Sequence, residues 1–543
     1  MSVIKKLLRL YHTLKYLKPK QVYYRFRYFF PLFISEKNDY PGILLNTTKM
    51  HFIPKGNVTI DYKSFTFLNE TCSIEKSGWQ VPEMGKLWAY NLHYFDFLNS
   101  SSNETNESIE LKRNLIIDWV RNNKFGHGIG WDPYPLSLRI VNWIKWEMNN
   151  PGSLSDEALT SLWNQSRFLF AKLEYHLLGN HLFANAKALL FAGVFFTPLR
   201  ASRMIQVGLK IFNEEIDEQF LPDGGHFECS PMYHALALED LLDLLSFVAP
   251  YAKEFPFDKV RSVISKGLNW LSFMNYGNEG LPHFNDCSEG IAPTFNQLLS
   301  YASFLEIPIN NIRDETEFTQ LNDTGFCVVK KNGIHLIADI GKIGPDYIPG
   351  HAHADTLSFE LAVNGCRLVV NHGTSCYGIS SKRLFERGTL SHSTLCIDGH
   401  NSSDVWSGFR VGRRALPIRF EIKSLNPLIF SCGHNGYLHL ENPSLHFRIW
   451  ELNEGSLSIK DNIDGTFNFA ISRFILHPDV AVKEFDTKSC ILVLKNGNRI
   501  RFETSGEIKL NAFSYAEGFG KIRETFSIDV KCSAVTKSTF NFF

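Results

Sequence analysis

The hydrophobic period of this chain changes once, near its middle, and that change limits the folds open to it. From about residue 105 to 310 the apolar residues recur at helical spacing. In LKRNLIIDWVRNN, Leu111, Leu115, Ile116, Trp119 and Val120 share one face. FLFAKLEYHLLGNHLFANAKALLFAG is rich in Leu, Ala and Phe, and HALALEDLLDLLSFVAP runs helical until Pro250 stops it. After about residue 320 the period is two. CVVKKNGIHLIADIG, LSFELAVNGCRLVVNHG, ILVLKNGNRIRFE and LSIKDNIDGTFNFAI each place Asn-Gly or Asp-Gly between β-type runs. These dipeptides favour the positive φ angles of type I′ turns, so each predicts a hairpin. The pattern predicts a multidomain α+β chain: a helical or irregular lead-in over 1–104, a helical bundle or toroid over 105–315, and an antiparallel β-sandwich over 316–543.

The 543 residues exceed what one core usually supports, which agrees with several domains. Lys and Arg number 56, as do Asp and Glu, so nothing global attracts nucleic acid, and any pull on an anionic partner must be local. Ten scattered cysteines include no CxxC pair, which argues against a zinc ribbon or thioredoxin-like site and for buried free thiols of a reduced compartment. The opening MSVIKKLLRLYHTLKYLKPK has apolar residues at helical spacing interleaved with Lys and Arg, and no signal-peptide core follows. A cytoplasmic location is the expectation. Such a basic amphipathic helix lies either on an anionic membrane surface or docked on the body of the protein, and docking is the expected placement.

Several polar clusters carry chemical potential. In GHAHADTLSFEL, His351, His353 and Asp355 alternate, and on an extended strand they share a face. The Asn364-Gly365 turn then pairs position 363 with 366 and sets Asn371 across from Ser358, while His392 follows in TLSHSTLCIDG. Such convergence reads as a metal site or a catalytic pocket. In LPDGGHFECSPMYHALALEDLL, Ser230 is a good N-cap and Pro231 sits at the first helical position, which puts Tyr233 in the first turn. There the helix dipole favours an anion, so the phenol is expected to ionise more easily than usual. GNHLFANAK sets Asn180, His181 and Asn185 in an apolar helical stretch. Asn91, His93 and Tyr94 in WAYNLHYFDFL, with Trp131, Asp132 and Tyr134 in GWDPYPLSLRIVNW, suit a sugar cleft or loop packing. Arg387 and the run with Arg410, Arg413 and Arg414 suit carboxylate or sulfate groups, or form a solvated face.

NLHYFD, WDPYPLSLRIVNW, GNHLFAN, DGGHFECSPMYH, GHAHADTLSFEL, LVVNHGT and GTLSHSTLCIDG occur in order between about residues 88 and 415. As a set they resemble the heparinase II/III family of polysaccharide lyases. The resemblance implies an incomplete (α/α) toroid followed by an antiparallel β-sandwich, and β-elimination on a uronate-containing, anionic polysaccharide. It implies that Asn180 and His181 hold the uronate carboxylate, that Tyr233 is base or acid, and that His351 is its partner. Asn91, His93, Tyr94, Trp131, His226, Glu228 and Arg387 are the implied substrate-binding residues. His353, Asn371 and His392 match metal positions, with zinc the implied ion. Relatives carry Asp where this chain has Asn371, and a neutral amide oxygen is a poorer zinc ligand. Exported relatives make the periplasm or cell envelope the alternative location. Two other functions compete: a glycoside hydrolase using paired carboxylates such as Asp223 and Glu228, and a non-catalytic glycan-binding or assembly protein.

Overall fold

The computed structural model describes residues 3–30, 33–44, 49–55, 59–61, 63–101, 104–309 and 316–543. Helices dominate up to Phe304 and strands from Thr316 onward. The expected boundary at 315/316 falls beside residues 310–315, which lie outside the described residues.

The helical half is an incomplete toroid: Asn106–Asn122, Pro133–Asn149, Asp156–Ala171, Gly179–Phe195, Pro198–Gln219, Pro231–Phe247, Phe257–Phe273 and Phe295–Phe304. Local chemistry sets its ends. Thr105 and Ser155 cap their helices by accepting from the Ser108 and Ala158 amides, and proline starts three of the eight. Leu115, Ile116 and Trp119, on the face read from the sequence, are buried. Gly179–Phe195 packs against both Pro133–Asn149 and Pro198–Gln219, which explains its apolar character all round.

The C-terminal half is a sandwich of an eight-stranded and a nine-stranded sheet. Between them Trp450 stacks on Phe430 at 4.9 Å, with Phe474, Phe502 and Phe540 in the same core. Two Asn-Gly pairs make the expected tight hairpins. Asn332 and Gly333 (φ 50° and 75°) and Asn364 and Gly365 (φ 49° and 74°) both take left-handed conformations. They close the pairs Lys331–Ile334 and Val363–Cys366. The third, in LKNGNR, joins Ser489–Val493 to Arg499–Thr504 through a longer loop. The Asp-Gly expectation fails: Gly465 ends the strand Ser456–Gly465, and the next strand, Ala470–Leu476, lies in the other sheet. A Cβ at Gly465 would stand 2.3 Å from the Pro443 carbonyl, so close approach rather than a turn requires glycine there.

The lead-in is more ordered than its sequence indicated. Helices Val3–Leu14 and Pro19–Arg27 form an arm across both halves. Arg9 pairs with Asp404 at 2.6 Å, the Trp406 indole donates to Thr13 at 3.1 Å, and Arg414 lies over Tyr16 at 3.9 Å. Further along, Gln21 donates to the Leu177 carbonyl and Tyr28 to that of Lys172. The helix is docked, as expected. A second tie joins the halves at Asp223, whose carboxylate accepts from the Gly225, Asp323 and Thr324 amides and the Thr324 hydroxyl at 2.8–3.0 Å. Asp223→Ala strands the Asp323 and Thr324 donors and is expected to lower unfolding free energy by about 1–3 kcal/mol. A lower urea midpoint at unchanged slope is the measurement that checks it.

Candidate active site

A cavity of about 2110 Å³ lies between the two halves. Asn180, His181 and Tyr233 line it from the helices, His351 and Tyr377 from the sandwich, and Thr13, Gln21 and Arg25 from the arm. The four expected catalytic residues therefore share one cleft.

Leu178 and Gly179, at φ 67° and 58°, turn the chain into the helix Gly179–Phe195 and leave Asn180 and His181 in its first turn. A Cβ on Gly179 would meet Ile348 at 3.1 Å. The dipole end and free amides of that turn favour an anion. His181 Nδ1 lies 3.0 Å from Glu174 Oε1. Burial opposes charge on the ring, but the Glu174 carboxylate outweighs it, and the His181 pKa is raised. Asn185 is a satisfied core residue, bonded to the Glu174 amide and carboxylate and to Ser137.

Ser230 caps the helix Pro231–Phe247 as expected, accepting the Tyr233 amide at 3.3 Å. The Tyr233 ring lies 4.0 Å from that of His351, centroid to centroid, and its hydroxyl is 2.9 Å from the Tyr377 hydroxyl. The expected easing of Tyr233 ionisation is overturned. Burial, reinforced by Tyr377 and Asp286, pushes the phenol well above its ordinary value. The helix end supplies only about half a charge, less than desolvation takes away. Tyr233 is a neutral phenol.

GHAHAD is a loop rather than a strand, since regular pairing starts at Phe359. Its two histidines converge on a residue the sequence reading missed. His351 Nδ1 and His353 Nε2 each lie 2.8 Å from one oxygen of Asp286. Asp286 also accepts from Thr374 at 3.1 Å and from both Arg383 terminal nitrogens at 2.5 and 2.7 Å. Burial alone would raise this carboxyl, but Arg383 and the two imidazoles hold it well below the usual range. Its loop follows a toroid helix, yet is stitched into the sandwich: the His283 amide donates to Glu360, the His353 amide to Asn285, and the Asp286 amide to the His351 carbonyl. With Nδ1 committed to Asp286, His351 keeps Nε2 for the cleft. Asp355 faces Asn285 instead, with its pKa pushed up to about 7 by burial.

Of the expected substrate-binding residues, Asn91, Tyr94, Trp131 and His226 reach the cavity wall. Trp131 shows only an edge, packed on Phe125 and Phe168 at 5.0 and 5.1 Å. His226 is bonded to Gln219 and held neutral by burial. His93 is a core residue: on the helix Lys86–Tyr94 it points opposite Asn91 and Tyr94, and its Nδ1 accepts from Trp119 at 3.0 Å. Glu228 is buried behind the wall, its pKa raised by burial. Arg387 is buried too, and donates to the Ala352 and Pro349 carbonyls, which fixes the loop of His351 rather than a ligand. The basic run divides: Arg410 lines the cavity, while Arg413 and Arg414 meet the arm.

The implied zinc ligands fit that ion poorly. His353 and His392 are buried neighbours with ring centroids 5.2 Å apart. Burial brings His353 down to about 4. Among the described residues, its Nδ1 and both His392 nitrogens lack a hydrogen-bond partner of good geometry. Asn371, however, spends its carbonyl oxygen on the Ser393 amide at 3.0 Å, and its amide reaches Ser358 at 3.5 Å. Among the described residues no group of three His, Cys, Asp or Glu side chains is arranged to hold a metal. Two imidazoles and an engaged amide fall short of the ligand set zinc takes, and none of the three lines the cavity.

Two domain models match this chain: heparinase II/III N-terminus over residues 91–307, and heparinase II/III-like, C-terminal, over 313–541. A heparin-sulfate lyase of Pedobacter heparinus is 27% identical over 339 residues, 52% of this chain and 47% of the relative. The chain thus spans about half the length of that curated relative. Among solved structures, a heparinase III superposes with TM-score 0.69 at 18% identity, covering 96% of this chain and 88% of that one. The Streptomyces coelicolor chondroitin AC lyase superposes at 0.54 with 9% identity, covering 85% and 75%. At such identities the superpositions speak for the fold: helical toroid, then antiparallel sandwich. The two domain models, matched in order over most of its length, establish that the chain belongs to the heparinase II/III family.

Proposed function

We propose that this chain is a polysaccharide lyase that cleaves an anionic, uronate-containing glycan by β-elimination. The observation that carries the reading is the meeting of Tyr233 and His351, ring against ring at 4.0 Å, over a cleft whose helical wall presents Asn180 and His181. The name heparin-sulfate lyase borne by a similar protein supports an anionic glycan as the substrate class.

β-Elimination needs the C5 carboxylate neutralised, the C5 proton removed and the departing O4 protonated. His181, held toward its cationic form by Glu174, and the Asn180 amide at the helix end bind the carboxylate. That withdrawal of charge makes the C5–H bond acidic enough to break. His351 Nε2 takes the C5 proton while Asp286 holds Nδ1–H and steadies the imidazolium. The C4–C5 double bond forms as the C4–O4 bond breaks, and the neutral Tyr233 phenol gives its proton to O4. After the product leaves, the imidazolium gives its proton to solvent and the phenolate takes one from solvent, which restores both groups. Tyr377, bonded to the Tyr233 hydroxyl, supports the phenol during transfer.

A hydrolase needs two carboxyl groups across the scissile bond. Asp223 is spent on the Thr324 loop and Glu228 lies behind the wall, so the lyase reading is favoured. Turnover of polyuronates and sulfated uronate glycans, read by the near-ultraviolet absorbance of an unsaturated product, tests it. Reducing ends formed without that absorbance would replace the lyase with a hydrolase. Tyr233→Phe and His351→Ala are each expected to lower kcat by at least about 10²-fold at unchanged melting temperature. Near-full activity removes the residue from the mechanism.

The His181–Glu174 contact generates a pH expectation. A raised pKa means that His181 stays charged to higher pH than a free imidazole and loses its charge as pH rises through that value. Glu174→Gln removes the raising partner, so the alkaline limb of kcat/KM is expected to move to lower pH. An unmoved limb would take His181 out of carboxylate binding.

A further inference from the structure

The arm is docked with its polar side inward. On Val3–Leu14, Arg9 and Thr13 meet the sandwich through Asp404 and Trp406. Ile4, Leu7, Leu8 and Tyr11, at i, i+3, i+4 and i+7, lie on the opposite face. Ile4 is 70% exposed and Tyr11 62%. The following helix repeats the arrangement: Gln21 is buried on the Leu177 carbonyl, while Tyr23 and Phe26 point away and Phe29, just past the helix end, is 82% exposed. A helix docked on a soluble protein normally buries its apolar stripe, and soluble monomers rarely show a continuous apolar patch of this extent.

The charge around the patch is one-sided. Residues 1–35 contain eight Lys or Arg and no Asp or Glu, in a chain whose formal net charge is zero. Lys15, just past the first helix, and Arg27, at the end of the second, are exposed beside the apolar residues. An apolar stripe edged by cations fits one partner chemistry, a bilayer with anionic headgroups. Apolar side chains enter the acyl boundary and Lys or Arg stems reach up to the phosphates.

We propose that the outward faces of Val3–Leu14 and Pro19–Arg27, with Phe29 and Phe30, seat the protein on an anionic lipid surface. The inward face of the same arm, through Thr13, Gln21 and Arg25, lines the cleft. Seating therefore places the cleft beside the bilayer. The proposal stands apart from the lyase reading, because it rests on the other side of the arm.

Flotation of the full chain with vesicles of phosphatidylcholine and phosphatidylglycerol, against phosphatidylcholine alone, is the test. Binding to the anionic vesicles only, weakened by salt, is the expected result. Leu7→Asp with Phe29→Asp, and separately Lys15→Glu with Arg27→Glu, are each expected to cut the bound fraction by roughly tenfold, at unchanged melting temperature and unchanged turnover of soluble glycan. Equal binding to neutral vesicles, or full binding by the two double variants, overturns the proposal. So does absence of vesicle binding together with self-association that Leu7→Asp with Phe29→Asp abolishes, which would assign the face to a second copy of the chain. Failure of every vesicle, with the chain monomeric, overturns it as well.

Discussion

A carboxylate withdrawn from water is costly unless cations and hydrogen bonds replace its hydration, and the centre of this molecule is organised around one such group, Asp286. Both oxygens are engaged, by His351 and His353, by Thr374 and by the two-pronged Arg383 guanidinium. Its backbone is held too, since the Ser230 hydroxyl donates to its carbonyl at 2.6 Å. Ser230 is the cap that starts the helix of Tyr233. One buried side chain thus sets the tautomer of His351, the place of its loop, and, through its own main chain, the distance from that loop to the phenol. Neutralising it would take from buried Arg383 the carboxylate to which both its terminal nitrogens are bonded, so geometry and stability cannot be varied independently here.

What was legible in the sequence was what short stretches of chain decide for themselves. The change of period, the left-handed turns at Asn332-Gly333 and Asn364-Gly365 and the Ser230-Pro231 helix start are local, and each appears where it was read. The recurrence of His351 and His353 was also legible, but for a different reason from the one that holds. They do not share the face of a strand; they reach one carboxylate 65 or more positions away in sequence. Pairings across such separations have no period, which is why Asp286, Tyr377 and Arg383 left no mark in HFNDC, NHGTSCYG or SKRLFE. His93 shows the same limit at smaller scale. A helix puts Asn91 and Tyr94 three apart on one side, and their neighbour falls to the core.

Tyr233 illustrates competition between a local and a non-local term. The helix end was readable and does favour the phenolate, but the enclosing walls come from residues far along the chain and reverse the sign. The outcome suits the chemistry proposed, because a phenol that keeps its proton can donate it. The arm makes a related point about averages. A formal charge of zero conceals a segment that is wholly cationic, and only the docked orientation of its helices shows which side that charge accompanies.

By chain position the Asp286 loop belongs to the toroid, and by its bonds it belongs to the sandwich. The natural joint for exchanging parts between relatives lies after the last toroid helix, which ends at Phe304, and before the first strand of the sandwich, which starts at Thr316. A recombinant that inherits its strands from one parent and its helices from another receives His351 from the first and Asp286, with Ser230 and Tyr233, from the second. The heritable unit of catalysis is therefore longer than either structural unit, and segment 283–287 must travel with 349–353. Divergence within such a lineage is free to reshape the outer helices and the far sheet separately, but it is constrained to change these two segments together.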